Sequence, residues 1–215
     1  WDDETPVEEF VRTLDGFVQD GRVESVDDLR ALVATYLRNQ FGTADLVALR
    51  AAHAAATEGD VDGVCDADRR LAAVTLAAEF RESAEQSGSR LLSLQRDLDP
   101  EPVVERYAER VGDCDAPGHH AAVLGAVAGS AGIDERTACL VCCHGLVTGV
   151  LGAAQRIISL GHTDTQRALD DLQPTIRGAV DDSASRTLDG MTSFTPLVDM
   201  LSAEHERADR RLFLS

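Results

Sequence analysis

Apolar residues recur at helical spacing along most of the chain, and the gaps between these stretches fall on capping and turn residues. Thr5-Pro6 followed by Glu8 and Glu9 predicts a first helix running to about Gln19: a capping hydroxyl, a proline that needs no N–H partner, and acids at the positive dipole end. Asp20-Gly21 breaks it, and Ser25 caps a second helix in which Leu29, Leu32, Val33, Tyr36 and Leu37 share one face. Gly42-Thr43 is expected to start a third, carrying Leu46, Leu49 and His53. A long helical stretch runs from Val61 to about Leu98, with a bend expected near Ser87-Gly88, until Asp99-Pro100 ends it. A short helix over Val103 to Val111 precedes the clearest linker, residues 112–118. From His119 to Leu160 the chain is apolar nearly all round and threaded with small residues, and Asp134-Glu135-Arg136 divides it in two. Such helices sit at a bundle centre or in an interface. A helix over Thr163 to Asp181, a polar turn, and a last helix opened by Thr195-Pro196 complete the pattern. Period-two alternation is lacking, so the expectation is an all-α, single-domain bundle of about eight to ten helices spanning residues 1–215.

Composition sharpens this picture. Aromatic residues make up only 4% of the chain, so the core must be built from Ala, Leu and Val, which favour closely spaced helices. The formal charge is -18 and every basic residue is Arg; Lys is absent. Such a surface repels nucleic-acid phosphates and anionic membranes, because neither finds a basic patch from which counterions can be released. The acidic excess also fits life at high salt, where self-repulsion is screened over a few ångströms. Five cysteines, an odd number, with three crowded into one segment, read as reduced thiols of a cytoplasmic protein. No apolar run reaches the roughly 18 residues that span a bilayer, and the start Trp1-Asp2-Asp3-Glu4 lacks the basic and apolar regions of a signal peptide.

Enzyme chemistry finds little footing. Cys139, Cys142, Cys143 and His144 place four soft ligands in six positions, yet a closed zinc site needs a second pair from elsewhere, and burial as small hydrophobes is the commoner fate of such thiols. His119-His120 reads as an exposed helix start, since adjacent residues on a helix point in different directions. Glu204-His205-Glu206 has Asp209 where a zinc protease would need its second His. The pairs Asp27-Asp28, Asp170-Asp171 and Asp181-Asp182 lack the acid one turn later that a magnesium-diphosphate site requires, and read as helix-end and surface charge. No phosphate-binding glycine loop and no nucleophile elbow occurs. No cofactor is expected.

Two segments carry a family likeness. Ile158-Ser-Leu-Gly-His-Thr-Asp-Thr-Gln-Arg-Ala-Leu169, with Arg156 ahead of it, resembles the UreF motif Leu-Gly-Gln-Thr-x-Gly-Gln-x-Leu-Leu. The stretch Ser193-Phe-Thr-Pro-Leu-Val-Asp-Met, then His205-Glu206 and Arg211-Leu-Phe-Leu-Ser215, is similar to that family's ending. Weaker likenesses lie at 85–92, 119–125 and 17–23, in the family order. His162 stands where the motif has Gln, Thr165 where it has a second Gly, and near the family's extended N-terminal segment only Thr13-Leu14-Asp15-Gly16-Phe17 is recognisable. The resemblance implies a urease accessory protein without a reaction of its own. Such a protein pairs with itself, binds UreD (also called UreH) and recruits the GTPase UreG, so that nickel passes to the urease apoprotein. It implies partner contacts at Arg156, Gly161, His162, Thr163, Asp164, Gln166 and Arg167, and at Pro196, Asp199, His205, Glu206, Arg211, Leu212 and Phe213.

Overall fold

A computed structural model describes residues 14–98, 100–158 and 160–194, and among them every regular element is helical. Residues 14–19 are helical, followed by α1 (Val26–Tyr36), a π segment (Leu37–Asp45), α2 (Leu46–Thr57), α3 (Val61–Val74), α4 (Ala78–Asp97), α5 (Pro102–Gly112), α6 (His120–Ser130), α7 (Glu135–Ile157), α8 (His162–Ser183) and a 3-10 turn (Leu188–Gly190). The expected all-α class is observed. Local chemistry sets most boundaries. Ser25 accepts from the Asp28 N–H while the Asp28 carboxylate accepts from the Ser25 N–H, a reciprocal cap for α1. Asp134 caps α7 through Thr137, and Pro102 occupies the first position of α5.

Three local expectations are corrected. Gly42-Thr43 starts no new helix: α1 continues through the π segment into α2, and Gly42 is buried where Ala179 of α8 packs against it. The bend expected at Ser87-Gly88 lies instead at Thr75-Leu76-Ala77, where the Arg81 guanidinium donates to the carbonyls of Thr75 and Leu76. Gly88 stays within the helix, and its lack of a side chain leaves room for the Gly118 carbonyl, which a Cβ there would strike. The apolar run is also longer than expected. Helix α7 has 23 residues and a mean hydropathy of 1.7 over its most apolar window, enough by length and composition to cross a membrane, but half of that window is buried inside this fold.

The core is organised by α2, which runs through both apolar clusters. Leu46, Val47, Ala48 and Leu49 join one with α1, α7 and α8, and Ala52 and Ala56 join the other with α3, α5 and α6. Helices α2 and α6 cross at Gly125 and Gly129, one turn apart, whose Cα atoms face the carbonyl oxygens of Leu49 and His53. A methyl group at either glycine would overlap that oxygen. Small residues thus allow backbone-to-backbone approach.

Polar burial is concentrated at Asp68 on α3, which is fully buried. Its carboxylate accepts from the Tyr107 hydroxyl at 2.7 Å, the Gly118 N–H at 2.7 Å and the His119 N–H at 2.9 Å, tying α3 and α5 to the start of α6. Burial pushes the Asp68 pKa up, and the three donors oppose that rise. In consequence His119 and His120 are not an exposed helix start. His119 is buried, and desolvation drives its pKa down to about 3, while burial also lowers that of His120.

Gly125→Ala is expected to destabilise the fold by about 1–3 kcal/mol or more, because neither contacting backbone can retreat without unpacking α2. Gly145→Ala on α7, where an added methyl meets nothing within 4 Å, serves as the control. It should change stability by under about 1 kcal/mol, with both read from urea midpoints.

Candidate partner-binding surface

The turn between α7 and α8 gathers the motif residues on one exposed corner. Gly161 is the extended N-cap residue of α8 and has no side chain to cap the helix. Thr165, one turn later, ties the turn by another route: its N–H and its hydroxyl both donate to the Gly161 carbonyl, at 3.0 and 3.1 Å. Gln155 of α7 reaches across, its amide donating to the Thr165 hydroxyl at 2.8 Å and lying 3.4 Å from the His162 Nδ1. The turn is thereby fastened from both helices. Arg156, Gly161, His162, Thr163, Gln166 and Arg167 are exposed, and Asp164 is half-buried. Arg167 and Asp164 form a 3.5 Å ion pair in solvent, which holds the corner only weakly.

Sequence reasoning missed Gln155 and overlooked what Thr165 does. Thr165 departs from the family motif and turns out to be buried, closing the turn with its own hydroxyl. A polar residue in that place on an otherwise amphipathic helix was the available signal; its pairing with Gln155 across the turn was not.

The second set of motif residues, Pro196, Asp199, His205, Glu206, Arg211, Leu212 and Phe213, lies outside the described residues. What is described is their approach. Residues 191–194 run along the π segment, with the Thr192 N–H donating to Thr43 O and the Phe194 N–H to Asn39 O, both at 3.2 Å. The Thr43 hydroxyl donates to Thr192 O at 2.5 Å, and Ser193 bonds to the Gln40 amide oxygen. Phe194 itself is 71% exposed.

The thiol cluster is brought together only in part. Cys139, Cys142 and Cys143 all point into the core, whereas His144 is exposed on the opposite side of α7. Burial pushes Cys139 up to about 11 and Cys143 up to about 12, and raises Cys142 as well, so none offers a thiolate near neutral pH. Among the described residues no group of three His, Cys, Asp or Glu side chains could hold a metal ion. The paired acids behave as surface charge: Asp171 pairs with Arg30 at 2.5 Å and Asp181 with Arg136 at 3.1 Å.

The model of the UreF family matches residues 23–173, from the approach to α1 through the whole α7–α8 turn. The chain belongs to the UreF family. Among curated UreF proteins, that of Trichodesmium erythraeum, a urease accessory protein, is 33% identical over 204 residues, covering 95% of this chain and 88% of the relative. A second, from Brucella melitensis, is 29% identical over 206 residues, covering 96% and 85%. The urease accessory protein UreF of Yersinia enterocolitica is 29% identical over 204 residues, covering 95% and 89%.

The thiol geometry is directly checkable. Of the five cysteines, exposed Cys114 should react with Ellman's reagent within minutes at pH 8, and buried Cys65, Cys139, Cys142 and Cys143 only after denaturation. Rapid reaction of more than one thiol in the native protein would contradict this packing.

Proposed function

We infer that the chain is a non-enzymatic scaffold in urease maturation, bridging UreD (UreH) and the GTPase UreG so that nickel reaches the urease apoprotein. The observation that carries this reading is the α7–α8 turn, where the residues matching the family motif stand together on the surface. They are mounted rigidly by the Gln155–Thr165 bond. A polar corner fastened from below and free above suits recognition, because its side chains are pre-positioned without being committed to their own fold.

Two further features support the reading. The approach segment 191–194, held on the π segment, would deliver the tail residues Pro196 to Phe213 from a fixed point, with the Leu212-Phe213 pair beside Arg211 as interface anchors. On α7, Val141 is 57% exposed beside exposed His144 and Gly145, an apolar side chain on the outward face of a helix whose other face lies in the core. That face suits pairing with a second copy of the chain.

Co-purification with UreD and UreG tests the proposal. A chain truncated after Ala203 should retain its helical circular dichroism and lose most UreD capture; undiminished capture would remove the tail from the interface. Gln166→Ala combined with Arg167→Ala should weaken assembly at least several-fold with an unchanged melting temperature. Normal assembly by that variant would remove the turn.

A further inference from the structure

Beside the π segment lies a cavity of about 410 Å3, within the range of about 300–1,000 Å3 common for small-molecule sites. Its walls come from α1, the π segment, α4, α6 and α7. Three aromatic rings line it: Tyr36 stands between Phe41 and Phe80, with centroids 6.5 and 6.3 Å away and planes tilted by 38° and 32°. Leu124 and Val141 extend the apolar wall.

One acid faces this space. Asp45, at the end of the π segment, is 6% exposed, and its one side-chain hydrogen-bond partner among the described residues is the Gln40 amide, at a long 3.5 Å. The other end of that amide is already engaged by Ser193. Among the described residues no arginine lies within ion-pair distance of Asp45, and the chain has no lysine. Desolvation raises the pKa of this carboxyl to about 7, so near neutral pH it is divided between the acid and a carboxylate without a counter-ion, which an arriving cation stabilises. The other titratable groups on the cavity wall are Tyr36 of α1, His119 and His120 of α6, and Cys142 of α7. Burial keeps both imidazoles neutral and the thiol protonated at neutral pH.

A buried acid without a counter-ion, beside aromatic faces, is complementary to positive charge on an organic body, since the rings attract a cation that the carboxylate neutralises. A hydrated divalent metal fits poorly, because it demands several oxygen or nitrogen donors that do not converge here. The net charge of -18 raises the local concentration of any cation near the mouth. We propose that this cavity binds a small organic ammonium, its head on Asp45 and its hydrocarbon body against Tyr36, Phe41 and Phe80. Binding ionises Asp45, so affinity increases with pH through the titration of that carboxyl while the amine stays charged.

Isothermal titration of the full chain with 2-phenylethylammonium tests this. The expected result is saturable binding at pH 8, about tenfold weaker at pH 6 as the carboxylate fraction falls. Asp45→Asn should abolish the binding and its pH dependence. It should also relieve the loss of stability expected of the parent chain as pH rises from about 4 to about 7, where the folded acid holds a proton that the unfolded one releases. Phe80→Leu should weaken binding several-fold without altering the pH dependence. Equal affinity for neutral 2-phenylethanol, no saturable heat at 10 mM probe, or full binding by a folded Asp45→Asn protein would each overturn the proposal. UreD and UreG capture by the same variants should be unchanged, which separates this site from the scaffold reading.

Discussion

The crossing of α2 and α6 is the constraint on which the rest of the fold depends. Because Gly125 and Gly129 let the helix axes close to backbone contact with Leu49 and His53, the two apolar clusters share one central helix instead of drifting apart. A core poor in aromatics has few large side chains to fill space, so close approach replaces bulk. Gly88 against the Gly118 carbonyl repeats the device between α4 and the start of α6. Together these glycines fix α6 from two sides, and α6 in turn positions the wall of the Asp45 cavity.

Polar groups inside the fold divide into two kinds. Asp68 is surrounded by three donors and serves as a pin between α3, α5 and α6. Asp45 has a single, distant side-chain partner among the described residues and an open space before it. The two acids are similarly buried, and hydrogen bonding alone distinguishes a structural carboxylate from one that waits for a counter-charge. Surface charge plays a lesser part, since the ion pairs of Arg30, Arg70, Arg110 and Arg136 are largely solvated and add little individually.

What could be read from the sequence was local. Ser25, Asp134 and Pro102 mark helix starts because caps act within one turn, and the division of the apolar run at Asp134-Glu135-Arg136 follows from charge alone. What could not be read was set by distant contacts. Gly42-Thr43 resembles a helix start until Ala179 is seen packing on it, and Ser87-Gly88 resembles a hinge until the Gly118 carbonyl occupies the space. His119 looks solvent-bound until Asp68 draws the backbone beneath it inward. At the α7–α8 corner the motif residues were legible as a pattern, but the Gln155–Thr165 bond that mounts them joins two helices and leaves no periodic trace.

The π segment also limits how this chain can tolerate insertions and deletions. Its hydrogen bonds skip one residue further than those of an α-helix, so its wide turns hold residues that ordinary winding has no room for, and excising one between 37 and 45 would draw the backbone toward the tighter α geometry. The carbonyls of Asn39 and Thr43 would then leave the extended segment they hold. Between 37 and 45 the residue count itself is a mechanical part.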